Sequence, residues 1–224
     1  MSVSLPKRCL AEIFSTFCLV LIGCGAMAVE FRTGALTHVG VATSWGLVVM
    51  VMIYAVGRIS GAHMNPAVTI AFATQRRLPL IDTATYIVAQ CVGALTAAFA
   101  IRAILGVDEA MLGATSVQLE LGASAGLAIE FMLTAILMFV VMGVSTGAKE
   151  ESLTAGIAVG ATIAMEAFAF GPLTKASMNP ARSLGPAVAS GDVSELWIYI
   201  VAPVTGAIVG AGLYRLLQGS IAEP

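Results

Sequence analysis

Apolar residues run along this chain in long blocks, and the polar positions that interrupt them decide how it is read. Crossing a bilayer core of about 30 Å as a helix takes roughly 20 apolar residues. Six blocks reach that length, near residues 10–31, 39–58, 82–104, 123–146, 153–171 and 194–217. Two further blocks, about 65–75 and 179–189, are too short to cross. Each opens on the same triplet, Asn65-Pro66-Ala67 and Asn179-Pro180-Ala181, preceded by Met64 and Met178. Asn is a favoured N-cap and Pro a favoured first helical residue, so each triplet predicts a helix start. A helix that starts in mid-membrane is costly and usually lines a site. Asn-Pro is also an ordinary turn signal, but two copies at matching places in a repeat favour the helix starts.

The repeat is visible in the residues. Tyr86-Ile87-Val88-Ala89 recurs as Tyr199-Ile200-Val201-Ala202, followed at the same distance by Gly93-Ala94 and Gly206-Ala207, and Glu12 in the first span matches Glu130 in the fourth. The two triplets lie 114 residues apart. Duplication accounts for this pattern. Each half holds three crossings, an odd number, so the halves enter the membrane from opposite sides and the repeat is inverted. The expected fold is an all-α membrane protein with six transmembrane helices, two re-entrant half-helices and an inverted three-helix repeat. It forms one domain, 1–224, with repeat 1 at about 8–106 and repeat 2 at about 122–218.

Composition removes the soluble alternatives. The chain is 58% hydrophobic and 11% charged, against roughly 25% charged residues in soluble domains. A formal charge of −2 points to no nucleic-acid partner. With the N-terminus inside, Lys7, Arg8, Arg58, Arg76, Arg77, Lys149 and Arg215 fall at or near the cytoplasm, and Arg32, Arg102, Lys175 and Arg182 on the outer half. That distribution favours both termini inside. The first apolar block is too long for a signal-peptide core and lacks a small-residue cleavage site, so it reads as a spanning helix. Short termini and compact loops suggest a prokaryotic plasma (inner) membrane. Cys9, Cys18, Cys24 and Cys91 form no C-x-x-C pair and read as small apolar residues.

The orientation brings the two half-helix N-termini together near the midplane. Each carries about half a positive charge, and the pair opposes cations and hydronium. If each Asn oxygen caps its own helix, the amide NH2 of Asn65 and Asn179 is left to donate into a lumen. Pro66 and Pro180 give up an N–H that would be unpaired anyway. Glu12 and Glu130 are acidic residues in apolar segments, which demands a partner. They fit either ion coupling in a transporter or, favoured by their symmetric placement, acceptance of backbone N–H groups from the re-entrant loops. Glu166 has no symmetric mate and no assigned role. Gly57, Gly61, Gly93, Gly126, Gly160, Gly206 and Gly210 read as sites where helices and loops approach closely.

The stretches SGAHMNPAVTIAF (Ser60 to Phe72) and ASMNPARSLGPAV (Ala176 to Val188) are similar to those of the major intrinsic protein family, the aquaporins and aquaglyceroporins, and the resemblance spans essentially the whole chain. It implies a homotetramer in the bilayer with a pore in each subunit, its centre at the two triplets including Ala67 and Ala181. It also implies an outer filter of four residues, which falls on Trp45, Ala167, Ala176 and Arg182. Most water-selective relatives carry histidine at the place of Ala167; here neither His38 nor His63 can stand there. Two alanines leave room opposite Arg182, and Trp45 offers an apolar wall, though Trp45 also fits an interfacial belt residue. Such a lining should pass small polyols as well as water. Ser183 and Ala187 stand where glycerol facilitators have Asp and a basic residue. Together with Tyr199-Ile200 in the last span, this set looks like the nodulin-like intrinsic protein branch and its bacterial relatives, which implies water, glycerol and neutral metalloid hydroxides such as arsenous or boric acid.

The leading expectation is therefore a passive channel with no catalytic step, no cofactor and no metal. A strictly water-selective channel is the nearest alternative. An ion-coupled secondary transporter using Glu12, Glu130 or Glu166, or a membrane junction protein, would be a different class.

Overall fold

A computed structural model of the chain describes residues 3–106, 112–146 and 149–219. Its helices are α1 (Leu5–Thr33), α2 (Thr37–Ser60), α3 (Pro66–Thr74), α4 (Leu80–Leu105), α5 (Gly122–Thr146), α6 (Lys149–Thr174), α7 (Pro180–Ser190) and α8 (Ile198–Gln218). Six of them are long and apolar enough to cross a membrane. The two short ones, α3 and α7, begin at the prolines of the repeated triplet. Six transmembrane helices and two half-helices in an inverted repeat are thus the architecture.

Helix ends depart from the apolar blocks where polar residues continue or replace a turn. The first helix starts at Leu5 because Pro6 suits an N-terminal turn and Lys7 and Arg8 extend it. Residues 149–152, expected in a loop, already belong to α6. The last helix starts later than its block, at Ile198, because residues 194–197 form turns. There Ser194 N donates to Asp192 Oδ1 (2.9 Å) and Ile198 N to Glu195 O (3.0 Å). Hydrogen bonding from the Ser194 side chain, and then from its backbone N–H, holds the Asp192 carboxyl below its usual range.

Packing repeats the symmetry. Helix α1 lies along α4, and α5 along α8, while α2 and α6 meet each other. A side chain at Gly93 would strike the backbone of Ile13, and one at Gly206 the backbone of Phe131. These are equivalent positions, since Ile13 follows Glu12 and Phe131 follows Glu130. Across the α2–α6 contact, a Cβ at Gly160 would lie 2.6 Å from Gly46 O, and Gly46 is bounded by Gly160 O in return. Small residues here let backbones touch, which supplies van der Waals contact where lipid offers no hydrophobic gradient. Gly57 differs from that expectation, and Gly61 meets it at a loop rather than between helices. Gly57 meets only a side chain of its own helix, and Gly61 caps α2 in the left-handed region at φ 91°, where its lack of a Cβ is what matters. Leu10, Phe14, Leu47, Val88, Phe99 and Leu213 point outward, apolar and exposed, as a lipid-facing surface requires.

Gly206→Leu is expected to lower the detergent-solution melting temperature by an amount corresponding to about 1–3 kcal/mol, the usual cost of overpacking. Gly212→Leu in the same helix has open space and is expected to leave it unchanged. Equal melting temperatures for the two variants would remove the close α5–α8 contact from the account.

Candidate functional site: two loops, a neck and two cavities

Each half-helix is delivered by a short irregular loop, 61–65 and 175–179. In the first loop Gly61, Ala62 and Met64 have positive φ; in the second, Lys175, Ala176 and Met178 do, at equivalent places. A non-glycine residue held there costs on the order of 1–2 kcal/mol. The loops persist because a buried carboxylate accepts from their amides. Glu12 Oε1 accepts from Ser60 Oγ (2.7 Å) and His63 N (3.0 Å), and Oε2 from Met64 N (2.8 Å). Glu130 repeats this with Thr174 Oγ1 (2.7 Å), Ser177 N (2.9 Å) and Met178 N (2.8 Å). Tyr86 and Tyr199 close each loop by donating to the carbonyls of Ser60 and Thr174, both at 2.9 Å. Both glutamates are fully buried. Every carboxylate oxygen is occupied by the loop it holds.

Around the two carboxylates the halves differ at Gln90. Gln90 Nε2 on α4 donates to Glu12 Oε2 (2.8 Å) and to Thr69 Oγ1 (2.9 Å). The equivalent position on α8 is Pro203, which has no donor. Sequence reading missed Gln90, although a glutamine in the middle of an apolar span was the available signal.

At the tips, Asn65 Oδ1 accepts from Ala67 N (2.9 Å), and Asn179 Oδ1 from Ala181 N (3.0 Å) and Arg182 N (3.2 Å). The capping geometry thus follows the triplet. The amide groups do more than the triplet implies. Asn65 Nδ2 donates to Met178 O, and Asn179 Nδ2 to Met64 O, both at 2.8 Å. One hydrogen of each amide braces the opposite loop, and one remains for the cavity that both residues line.

That inner cavity, about 140 Å3, is walled mainly by apolar side chains such as Leu19, Val68, Leu137 and Val159, with the loop residues 61–65 and 176–179 along it. It reaches Trp45, Ala167, Ala176 and Arg182 at one end and Ser145 and Ala155 toward the other. A second cavity, about 590 Å3, shares Trp45 and Ala167 with the first and opens past His38, Glu30 and Lys175. All four residues inferred from the sequence line the inner cavity, and two of them, Trp45 and Ala167, line the outer one as well.

Arg182 is 2% exposed. Its Cζ lies 4.6 Å from the centre of the Trp45 ring, a cation–π distance. Nη1 donates to Gly113 O (2.8 Å) and Nη2 to Met27 Sδ (3.2 Å). Gly113 and Met27 were not foreseen; they lie 69 and 155 residues from Arg182, with no pattern to mark them. Gly23 was missed as well. A Cβ there would collide with the Trp45 ring, so this glycine is what admits the indole. Glu166 is buried beside Ala167, and its two oxygens have no hydrogen-bond partner among the described residues.

Residues 1–214 match the family described as Major intrinsic protein. The chain belongs to the major intrinsic protein family. Among relatives of this family it is 47% identical over 219 residues to Aquaporin NIP1-1 of Oryza sativa subsp. japonica, covering 97% of this chain and 76% of that protein. It is 43% identical over 219 residues to Nodulin-26 of Glycine max, covering 97% of this chain and 80% of that one. In three dimensions it superimposes on the X-ray structure of the aquaglyceroporin from Plasmodium falciparum with a TM-score of 0.85 at 27% identity, over 94% of this chain and 96% of the other.

Proposed function

We infer that this major intrinsic protein is a passive channel for water and small uncharged solutes. Polyols of glycerol size and neutral metalloid hydroxides such as arsenous or boric acid are the solute classes that its neck suits. The observation that carries this reading is the lining shared by the two cavities at Trp45 and Ala167, with Ala176 and the buried Arg182 cation beside them on the inner cavity. Arg182 supplies donors for hydroxyl oxygens, Trp45 an apolar wall for carbon, and Ala167 and Ala176 the width that a histidine and a larger neighbour would remove. The relatives named for aquaporin, nodulin and aquaglyceroporin support the same class.

Asn65 and Asn179, with Pro66, Pro180, Ala67 and Ala181, form the pore centre in this reading. The spare N–H of each asparagine holds a passing oxygen, and the two helix N-termini oppose cations and hydronium. Glu12 and Glu130 support the loops. Their oxygens are fully engaged by loop donors, which argues against ion coupling through them. The chain acts as a single domain, 1–224, with repeats at about 8–106 and 122–218, and works without a catalytic step. We further propose that both termini are cytoplasmic, that the membrane is the plasma membrane and that the assembly is a homotetramer.

Stopped-flow light scattering of proteoliposomes tests the reading: glycerol uptake should be non-saturating and independent of any ion gradient. Saturation at low concentration, or a need for a gradient, would favour a secondary transporter; water flux without glycerol flux would favour strict water selectivity. The double variant Ala167→His with Ala176→Thr is expected to lose about tenfold or more of glycerol flux while water flux falls much less. Tenfold corresponds to about 1.4 kcal/mol of added barrier. Equal losses would show that these residues do not set the width.

A further inference from the structure

Arg182 has five N–H donors, and the neck leaves them unequally held. One face of the guanidinium is covered by Trp45, and Nη1 is tied to the Gly113 carbonyl. Among the described residues Nη2 is tied to the thioether of Met27 alone. A thioether sulfur is a weak acceptor, so this donor is the loosest of the fixed contacts at the neck. Met27 is half-buried on α1 and lines the outer cavity together with Trp45 and Ala167, on the approach a solute from that side must take.

We propose that Met27 is a fifth selectivity residue, whose thioether holds Nη2 of Arg182 between solutes and surrenders that donor to the hydroxyl of a passing polyol. The inference rests on the polyol reading given above. Two physical features suit the task. A buried donor with no partner would cost roughly 1–3 kcal/mol, so a weak acceptor steadies Nη2 between solutes while Gly113 and Trp45 keep the guanidinium in place. An oxygen acceptor on a charged donor would hold it too firmly, because charge-assisted bonds to oxygen are about twice as strong as neutral ones. Sulfur on an unbranched, flexible side chain lies between these limits and can withdraw along the cavity wall as the solute passes. The hydroxyl oxygen then accepts from Nη2 while the carbon skeleton lies against Trp45.

The test compares full-length wild type, Met27→Leu and Met27→Gln in proteoliposomes, reading glycerol and water permeability in the same vesicles. Using the ratio of the two cancels differences in insertion. Leu and Gln are close to Met in size, so a residue that merely fills space gives one ratio for both. The proposal expects the Gln variant, whose amide oxygen grips Nη2, to have a glycerol-to-water ratio at least about fivefold below the Leu variant, with wild type between. Fivefold is close to the energy separating a weak acceptor from a good one. Equal ratios for Leu and Gln, with wild type permeable to glycerol, overturn the role of Met27 alone. A wild type impermeable to glycerol overturns the polyol reading, and this inference with it.

Discussion

Glu130→Leu is expected to abolish both water and solute flux and to destabilise the protein by several kcal/mol, measured as the shift in detergent-solution melting temperature alongside stopped-flow permeability. Three buried donors lose their acceptor: Thr174 Oγ1, Ser177 N and Met178 N. Each orphaned donor costs roughly 1–3 kcal/mol. The loss falls on a loop already held at positive φ at Lys175, Ala176 and Met178, a conformation costly for residues other than glycine. Once released, the loop no longer presents Met178 O to Asn65, and the cross-brace between the halves goes with it.

The mirror variant, Glu12→Leu, removes an acceptor from four donors yet is expected to do less harm. Gln90 sits beside that loop, and its Oε1 is buried without a partner among the described residues. Turning the amide over would offer that oxygen to the orphaned N–H groups. Pro203 occupies the equivalent place in the second half and can offer nothing. A larger stability loss from Glu12→Leu than from Glu130→Leu would contradict this account of the asymmetry.

How far the sequence reaches is set by whether an interaction is local or assembled. Asn capping Ala67 or Ala181 is a contact two residues long, and the triplet states it. The glutamates could be assigned because a carboxylate in an apolar span must find donors, and symmetry named the loops as the source. Arg182 follows the triplet directly, but its partners do not follow from anything nearby. Gly113 arrives from the connection between α4 and α5, Met27 from α1, and the indole of Trp45 fits only because Gly23 has no side chain. These contacts exist only once α1, α2 and the α4–α5 connection have packed against α7. The same holds for the asparagine amides: both hydrogens looked free for the lumen, and one of each is spent on the opposite loop. Helix ends shifted where charged residues such as Lys7, Arg8 and Lys149 continued a helix beyond its apolar block.

Arg182→Val is expected to raise proton and cation leakage by about tenfold or more, read with a pH-sensitive dye in vesicles under an imposed pH gradient and by cation flux in parallel. Among the described residues no carboxylate pairs with this guanidinium; its partners are a carbonyl, a thioether and a ring face, none of which cancels the charge. A unit charge about 5 Å from a passing cation contributes roughly 3 kcal/mol at an effective dielectric of 20, worth about two orders of magnitude in rate. The two helix N-termini at Pro66 and Pro180 still oppose cations after the substitution, so the observed rise should be smaller than that figure. Arg182→Lys separates charge from geometry. A lysine keeps the positive charge but cannot stack on Trp45 while holding a planar fork toward Gly113 and Met27. It is expected to leave ion exclusion nearly intact and to lower the glycerol-to-water ratio instead. If the valine variant leaks no more than wild type, the barrier lies with the helix dipoles at the asparagines, and Arg182 serves the solute alone.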